Sequence, residues 1–436
     1  MIRDFPLRWL VYWLLLPNLA IMLMWFVGAP PMTPMFATFA LVGLVAAQLK
    51  WPWVKRAILA GLILYTIYYY VLVLFNLGPD GLSMLWPFIV EVKPLRSPEY
   101  LLAALVLMVS CTIALYKAPS VKPFTSPMPF LLAIFAAMLV LAVDYWATES
   151  TRSTYRREAP AGAPVQAATY EAHLFQPKAG GHHLVVVIVE ALGVPVGEQE
   201  KAIFAADWNR AAWRRRYAVE HGEIPFYGST TSGELRELCQ VRQSYDDVTE
   251  PMLGCLPARY RKAGYETHAY HGFTPSLFQR DRWYPLIGFD SFLFRDDLYG
   301  LGLSRCNGVF AGACDKQIPG LIAERLKAAT KPQMVYFLTL NTHLPIMRDK
   351  SIETMECTLG DGSWAQDNPQ LCRLFLMHHY LAEAIDALAM DPDLPPTDFL
   401  IVGDHFPPFF DRVDRNRFVP GVVPWVLLRH SDEDSS

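Results

Sequence analysis

The chain has 436 residues, 53% of them apolar, a formal net charge of −4 and a mean hydropathy of +0.19. It is too long for one small domain and too apolar to be dissolved in water throughout. The slightly negative balance and the lack of a basic face give no reason to propose nucleic acid.

The apolar residues concentrate in the first third, in five segments: Leu10 to Val27, Met35 to Leu49, Ala57 to Phe75, Tyr100 to Tyr116 and Phe130 to Tyr145. Each approaches the length that crosses about 30 Å of hydrocarbon, the second being short. Arg3 and Arg8 precede the first; Lys50, Lys55 and Arg56 follow the second; Lys117 and Lys122 follow the fourth. This alternation sets the N-terminus in the cytoplasm, and an odd number of crossings sets everything after Trp146 outside. Four later segments make the first a retained anchor. The intervening loop Asn76 to Glu99, with Leu82, Met84, Leu85, Trp86, Phe88, Ile89 and Val90, reads either as an interfacial segment or as a loop packed on the bundle. The expected domains are residues 1–146 in the membrane, a linker over 147–181 rich in Ala, Pro, Thr and Arg, and an external domain over 182–436.

In the external domain, Leu184 to Val189 reads L-V-V-V-I-V, a strand buried on both faces. Thr267 to Tyr270, Met334 to Leu340, Phe399 to Val402 and Val422 to Leu428 are further strands, with helices over Lys316 to Ala329 and Leu371 to Met390. Alternating strand and helix predicts an α/β/α sandwich on a mostly parallel sheet, with ligands beyond the carboxyl ends of the strands. Cys111 falls in a membrane segment. Cys239, Cys255, Cys306, Cys314, Cys357 and Cys372 form an even external set suited to disulfides. Neighbour pairing is one of 15 connectivities. No C-x-x-C spacing supports a four-cysteine zinc site.

Three metal-ligand types leave strands at the expected edge: Glu190 after the first, and Asp404 and His405 after L-I-V-G. Between them in sequence lies F-Y-G-S-T-T-S-G-E-L-R-E-L-C, Phe226 to Cys239, a glycine-led turn running into a helix. Amides at a helix start are unpaired and carry partial positive charge, so a hydroxyl there can ionise and a phosphate can settle beside it. Such residues also cap ordinary helices. His182, His183, His378 and His379 read as surface or linker residues.

Taken together, Glu190, the Thr230 region and Gly403-Asp404-His405 resemble the metal site and nucleophile of envelope-modifying members of the alkaline phosphatase superfamily, namely lipoteichoic acid synthases and phosphoethanolamine or phosphoglycerol transferases. The resemblance implies a five-helix transmembrane bundle with an external domain of alkaline phosphatase/sulfatase type. It implies one or two divalent metal ions, zinc or manganese, held by Glu190, Thr230, Asp404 and His405, with Thr230 as nucleophile. Thr231 stays open as the alternative. In L-N-T-H-L-P, His343 corresponds to the histidine that contacts the transferred phosphate or protonates the leaving group. In H-G-F-T-P-S-L-F-Q-R, His271, Phe278 and Arg280 match headgroup-binding positions, with Phe278 where the synthases have tryptophan. The implied reaction moves a phospholipid headgroup phosphate, through phosphothreonine, to a hydroxyl of an envelope glycan or lipid and releases diacylglycerol. The implied location is the bacterial inner membrane with a periplasmic catalytic domain. Phosphoethanolamine and phosphoglycerol are both open as donors. Two rivals stand beside this reading: a sulfatase or phosphodiesterase of the same superfamily, the sulfatase because Cys255-Leu256-Pro257-Ala258-Arg259 has the C-x-P-x-R pattern converted to formylglycine, and a catalytically silent lipid-binding envelope sensor.

Overall fold

The computed structural model describes residues 5–26, 30–74, 98–148, 159–160, 162–308, 310–409 and 412–431. The apolar run from Leu82 to Val90 lies outside the described residues. Those up to 148 form one compact unit, and those over 159–409 and 413–431 form another.

In the first unit three helices, Pro52–Val73, Leu101–Ser120 and Pro127–Ala147, are long and apolar enough to cross a membrane. Leu7–Leu23 and Thr33–Ala47 are shorter, rising roughly 25 and 22 Å at ~1.5 Å per residue against ~30 Å of hydrocarbon. Leu7–Leu23 is irregular because Pro17 has no N–H to give, and the chain passes through a π-helical stretch, Leu10–Leu15, and a 3-10 turn, Leu16–Asn18. Two buried ionisable groups of this unit, Asp144 and Lys55, are hydrogen-bonded. Asp144 accepts from Trp25 Nε1 at 2.9 Å and Thr33 Oγ1 at 2.5 Å. Lys55, expected as a loop charge, is buried and donates to Ala47 O and Val121 O at 3.2 and 2.8 Å.

The second unit is built on a seven-stranded mixed sheet with strands β1 His183–Val189, β2 Tyr217–Pro225, β3 Glu266–His271, β4 Ser291–Leu293, β7 Gln333–Leu338, β8 Thr397–Gly403 and β9 Val422–His430, in the order β2-β9-β8-β1-β7-β3-β4. Two short strands, β5 Arg305–Asn307 and β6 Ala311–Ala313, form a separate hairpin. β1 lies at the centre, parallel to both β7 and β8. Its residues alternate between two apolar cores: Leu184, Val186 and Ile188 on one face, Val185, Val187 and Val189 on the other. Burial of each such side chain contributes roughly 1.5–3 kcal/mol, which is why this run can only be a central strand.

The sheet departs from the expected parallel pattern at one edge, where β9 runs antiparallel to β8 and β2 antiparallel to β9. β2 carries Glu220, His221, Gly222 and Glu223 and buries only Tyr217 and Ile224, so the apolar signal that marks the central strands is missing. Residues Ala168, Ala172, Leu174 and Phe175, within the expected linker, pack into the core of this unit. Their small side chains show no periodicity to reveal it.

At the carboxyl end of β8, a Cβ on Gly403 would lie 2.2 Å from Leu192 O, so only glycine lets β8 pass the turn after β1. We expect Gly403→Ala to cost about 1–3 kcal/mol or more by overpacking, read as a lowered thermal midpoint. Gly254→Ala, with nothing within 4 Å, is expected to leave that midpoint unchanged.

Candidate metal and phosphoryl-transfer site

The parallel pairing of β1 with β8 sets Val189 opposite Gly403, so Glu190 and Asp404 leave adjacent strands side by side. The turn that follows is tied together: Asp404 Oδ1 accepts from Ala191 N at 2.9 Å and from His405 N at 2.6 Å. His405 Nε2 lies 3.3 Å from Glu190 Oε1 and 3.4 Å from Asp404 Oδ2. Ligand atoms of Glu190, Asp404 and His405 all fall within 4.8 Å of one another.

The helix Thr230–Cys239 brings the hydroxyl. Its N-cap, Ser229, makes no capping hydrogen bond with its side chain. Thr230 Oγ1 instead donates to Glu190 Oε2 at 2.9 Å and lies 3.5 Å from His405 Nε2. Thr231 turns away, its Oγ1 3.4 Å from Ser229 Oγ. The helix sits close because residue 233 is glycine: a Cβ there would lie 3.2 Å from Asp404 Cα and Cβ.

Two buried oxygens of this cluster, Glu190 Oε1 and Asp404 Oδ2, have no hydrogen-bond donor. Leaving buried carboxylate oxygens without partners is costly, and a divalent cation is the group that satisfies both at once. The donor set of two carboxylates, one imidazole and one hydroxyl fits zinc or manganese. Burial, compounded by the Glu190 carboxylate, pushes Asp404 up to about 7. Burial opposes the charge on His405, yet Asp404 and Glu190 outweigh it and raise its pKa.

Further residues, silent in the sequence, hold this cluster in place. Arg236 is buried and donates to Gly403 O at 2.8 Å and Asp404 O at 3.1 Å, while its Nε pairs with Glu237 at 2.6 Å. Glu237 in turn accepts from Thr169 N at 2.9 Å, tying the chain that precedes β1 to the helix that carries Thr230. Glu190 N donates to Thr339 Oγ1, and Glu190 O accepts from Thr342 Oγ1 and His378 Nε2 at 2.7 and 3.3 Å. His378 is therefore a buried residue at the site. His379 pairs with Asp207 at 2.7 Å, and His183 is a buried strand residue whose Nδ1 accepts from Gln333 N. His182 lies 3.3 Å from Asp398. Helical period on α-helix Pro369–Ala389 was the one signal that could have marked His378 as inward-facing.

His343 follows β7 on the same edge. Its Nδ1 lies 2.8 Å from Leu344 O, which as a carbonyl can only accept, so Nε2 carries the lone pair. Burial and the nearby His405 hold its pKa down to about 4. Its loop is fixed by Asp315, whose Oδ2 accepts from Leu340 N and Asn341 N at 2.7 and 2.6 Å. His271, at the end of β3, has Nδ1 3.1 Å from Leu338 O and is kept neutral by burial and Arg280. Phe278 packs beside Phe273, Leu277, Phe310 and Leu340, and Phe310 meets the His343 ring at 4.6 Å.

Arg280 is placed differently from a free headgroup ligand. It is 2% exposed and spends its guanidinium on Glu234 at 2.7 Å, an acceptor shared with the hydroxyls of Tyr284 and Tyr336 at 2.6 and 3.1 Å. Its guanidinium also lies 5.4 Å from the Phe278 ring centroid. The six external cysteines are joined as Cys239–Cys255, Cys306–Cys314 and Cys357–Cys372. With Cys255 bonded to Cys239, no thiol is left there to become formylglycine.

Residues 240–421 match the Sulfatase family model. The pattern of that family thus covers the later part of the external unit and less than half of the chain. The match takes in His271, Phe278, Arg280, His343, Asp404 and His405, while Glu190 and Thr230 join them through the fold. No curated protein sequence matches the chain. Among solved structures it is similar to the lipoteichoic acid synthase LtaP from Listeria monocytogenes, at 17% identity over 59% of this chain and 67% of that one, with a TM-score of 0.45. It is also similar to the Streptococcus pyogenes phosphoglycerol transferase GacH, at 15% identity over 62% and 78% with a TM-score of 0.41. The lipooligosaccharide phosphoethanolamine transferase EptA from Neisseria meningitidis is similar at 13% identity over 95% and 88%, with a TM-score of 0.48.

Two predictions follow from this geometry. A cation entering the cluster would displace protons from Asp404 and His405, so zinc affinity of the purified protein should rise with pH, up to about tenfold per pH unit for each proton released and about a hundredfold for both, as pH climbs towards 7. Competition with a fluorescent chelator reads this, Glu190→Gln should weaken binding at every pH, and a pH-independent affinity would remove Asp404 and His405 from the ligand set. Arg280→Met leaves Glu234 as an uncompensated buried charge and is expected to cost about 3–5 kcal/mol in thermal or urea unfolding. Tyr336→Phe, removing one donor of three, should cost only about 0.5–1.5 kcal/mol.

Proposed function

We propose that this protein is a metal-dependent transferase that takes a phospholipid headgroup phosphate, either phosphoethanolamine or phosphoglycerol, onto Thr230 and passes it to a hydroxyl of an envelope glycan or lipid. The observation that carries this reading is the placement of Thr230 Oγ1 against Glu190, beside His405, at the start of a helix that leaves this hydroxyl free of capping. A sulfatase reading would require a free Cys255, and a silent relative would have no need of a complete donor set.

In this reading Glu190, Thr230, Asp404 and His405 hold zinc or manganese, which when bound lowers the pKa of the threonine hydroxyl and neutralises phosphate charge. Thr230 Oγ forms a bond to phosphorus, the bond from phosphorus to the diacylglycerol oxygen breaks, and the threonine proton ends on that oxygen. His343 Nε2, an unprotonated lone pair at neutral pH, is suited to relay it. In the second half an acceptor hydroxyl oxygen bonds to phosphorus, the bond from phosphorus to Thr230 Oγ breaks, and the acceptor's proton ends on Thr230 Oγ, restoring the enzyme. Thr339, Thr342 and His378 orient Glu190, and Arg236 orients Asp404 through its own carbonyl and that of Gly403. His271 and Phe278 wall the headgroup, and Arg280 backs the Phe278 ring.

The membrane part belongs to the same reading, because donor and first product are both lipids. All five apolar helices cross, residues 1–146 anchor the protein in a bacterial inner membrane, and the domain over 182–436 works on the periplasmic side.

Intact mass of the purified protein after incubation with phosphatidylethanolamine or phosphatidylglycerol tests this. An adduct of headgroup-phosphate mass should form with one of the two lipids, persist in Thr231→Ala and be absent in Thr230→Ala. No adduct with either lipid, in protein shown to contain metal, would overturn the transferase reading.

A further inference from the structure

Away from the metal ligands, the external unit contains a cavity of about 740 Å³ lined by Arg348, Arg373, Thr354, Thr358, Glu356 and Gln366 among others. That volume falls within the roughly 300–1,000 Å³ of small-molecule sites. None of Glu190, Thr230, His343, Asp404 or His405 lines it.

Its two arginines are anchored in the same way. Arg348 Nε donates to Met355 O at 3.0 Å and Arg373 Nε to Ile346 O at 2.8 Å. Each bond fixes the plane of a guanidinium and leaves its two terminal nitrogens for another partner. Neither arginine has a carboxylate in ion-pair range among the described residues, and the lining carries two positive charges against the single one of exposed Glu356. Arg280 shows the contrast: more deeply buried, it has its pKa raised because Glu234 outweighs the burial. In Arg373 burial, with Arg348 adding to it, lowers the pKa, as expected of a half-buried cation lacking an anion.

The walls are also held in place. Thr354 Oγ1 donates to Met347 O at 2.5 Å and accepts from Asp349 N at 3.1 Å, closing the loop above. The disulfide Cys357–Cys372 fastens that loop to the helix Pro369–Ala389 below, whose N-terminal end adds partial positive charge to the same wall. This helix links the cavity to the reaction site, because Arg373 precedes His378, the residue on Glu190 O, by five positions, about 7.5 Å of helix rise. The loop makes a second link: Ile346, which holds Arg373, lies three residues after His343.

We propose that this cavity binds a phosphate group borne by the acceptor molecule, gripped between Arg348 and Arg373, and so selects phosphorylated acceptors. Planar guanidinium groups with free terminal nitrogens match the oxygens of a phosphoester, where Glu356 and Gln366 can meet neighbouring hydroxyls or an amine. The inference rests on the transferase reading for the word acceptor, and the binding site itself does not.

The test is calorimetric titration of the full-length protein in detergent with glucose 6-phosphate, a sugar-borne phosphate, and with glycerol 3-phosphate, a headgroup-type phosphate. Wild type, Glu190→Gln and the double variant R348Q/R373Q are compared. Glucose 6-phosphate should bind wild type and Glu190→Gln alike and lose about tenfold or more in affinity in R348Q/R373Q. Undiminished binding in the double variant, loss of binding in Glu190→Gln, or no binding to wild type would each overturn the proposal. Glycerol 3-phosphate binding with the same dependence on both arginines and tighter affinity would assign the cavity to a lipid headgroup and overturn the acceptor role. Should R348Q/R373Q misfold, the exposed Arg348→Glu alone reverses one charge and should abolish binding, with Arg348→Lys partly restoring it. Because binding needs no turnover, a missing Thr230 adduct would end the transferase reading without deciding this one.

Discussion

Two carboxylates expelled side by side from the ends of adjacent parallel strands are the constraint on which this domain depends. Glu190 and Asp404 are buried, face each other and leave one oxygen apiece without a donor. Burial penalises the charged form and the Glu190 carboxylate adds to it, which is why Asp404 holds its proton up to about 7. The arrangement persists because the surrounding chain holds it from every side, and its donor atoms fit a cation that would share the oxygens.

The restraining groups are arranged by element. From β7 and its following loop come Thr339 and Thr342, from the helix Pro369–Ala389 comes His378, and all three fix the Glu190 backbone. From the helix Thr230–Cys239 come the hydroxyl of Thr230 on one side and Arg236 on the other, so a single helix both sets a hydroxyl against Glu190 and grips the carbonyls of Gly403 and Asp404. One turn on from Thr230, Glu234 binds Arg280, Tyr284 and Tyr336. Fully paired, such a buried network fixes the position of the helix; with one partner removed it would be a liability. The Glu237 contact with Thr169 extends the same helix to the segment that enters the domain. The geometry at Thr230 is thus set by a helix anchored at four successive charged or hydroxyl-bearing positions along its length.

How much of this was legible beforehand follows from what each residue does. The central strands were plain because both their faces are buried, so their apolar runs are unbroken; β2 was hidden because an edge strand with Glu220, His221 and Glu223 looks like a loop. Glu190, Asp404 and His405 could be picked out because a charged residue directly after a buried strand has few other reasons to be there. His378 gives no such signal, because in a long helix a buried histidine and an exposed one differ only in phase. The spacing of Arg280 matches a headgroup ligand, and only the fold reveals the buried Glu234 that engages it.

By itself the amino-acid sequence determined which segments are apolar enough for a membrane, which runs form the centre of the sheet, and which residue types stand at its carboxyl edge. These follow from local composition and periodicity, which burial acts on residue by residue. The tertiary structure alone decided that Thr230 rather than Thr231 faces Glu190, that Cys255 is joined to Cys239, and that Arg348 and Arg373 share one cavity. Neighbouring threonines differ by about 100° around a helix, and partners distant in sequence meet only when the sheet order and helix packing bring them together. That is a property of the packed chain, which no window of sequence contains.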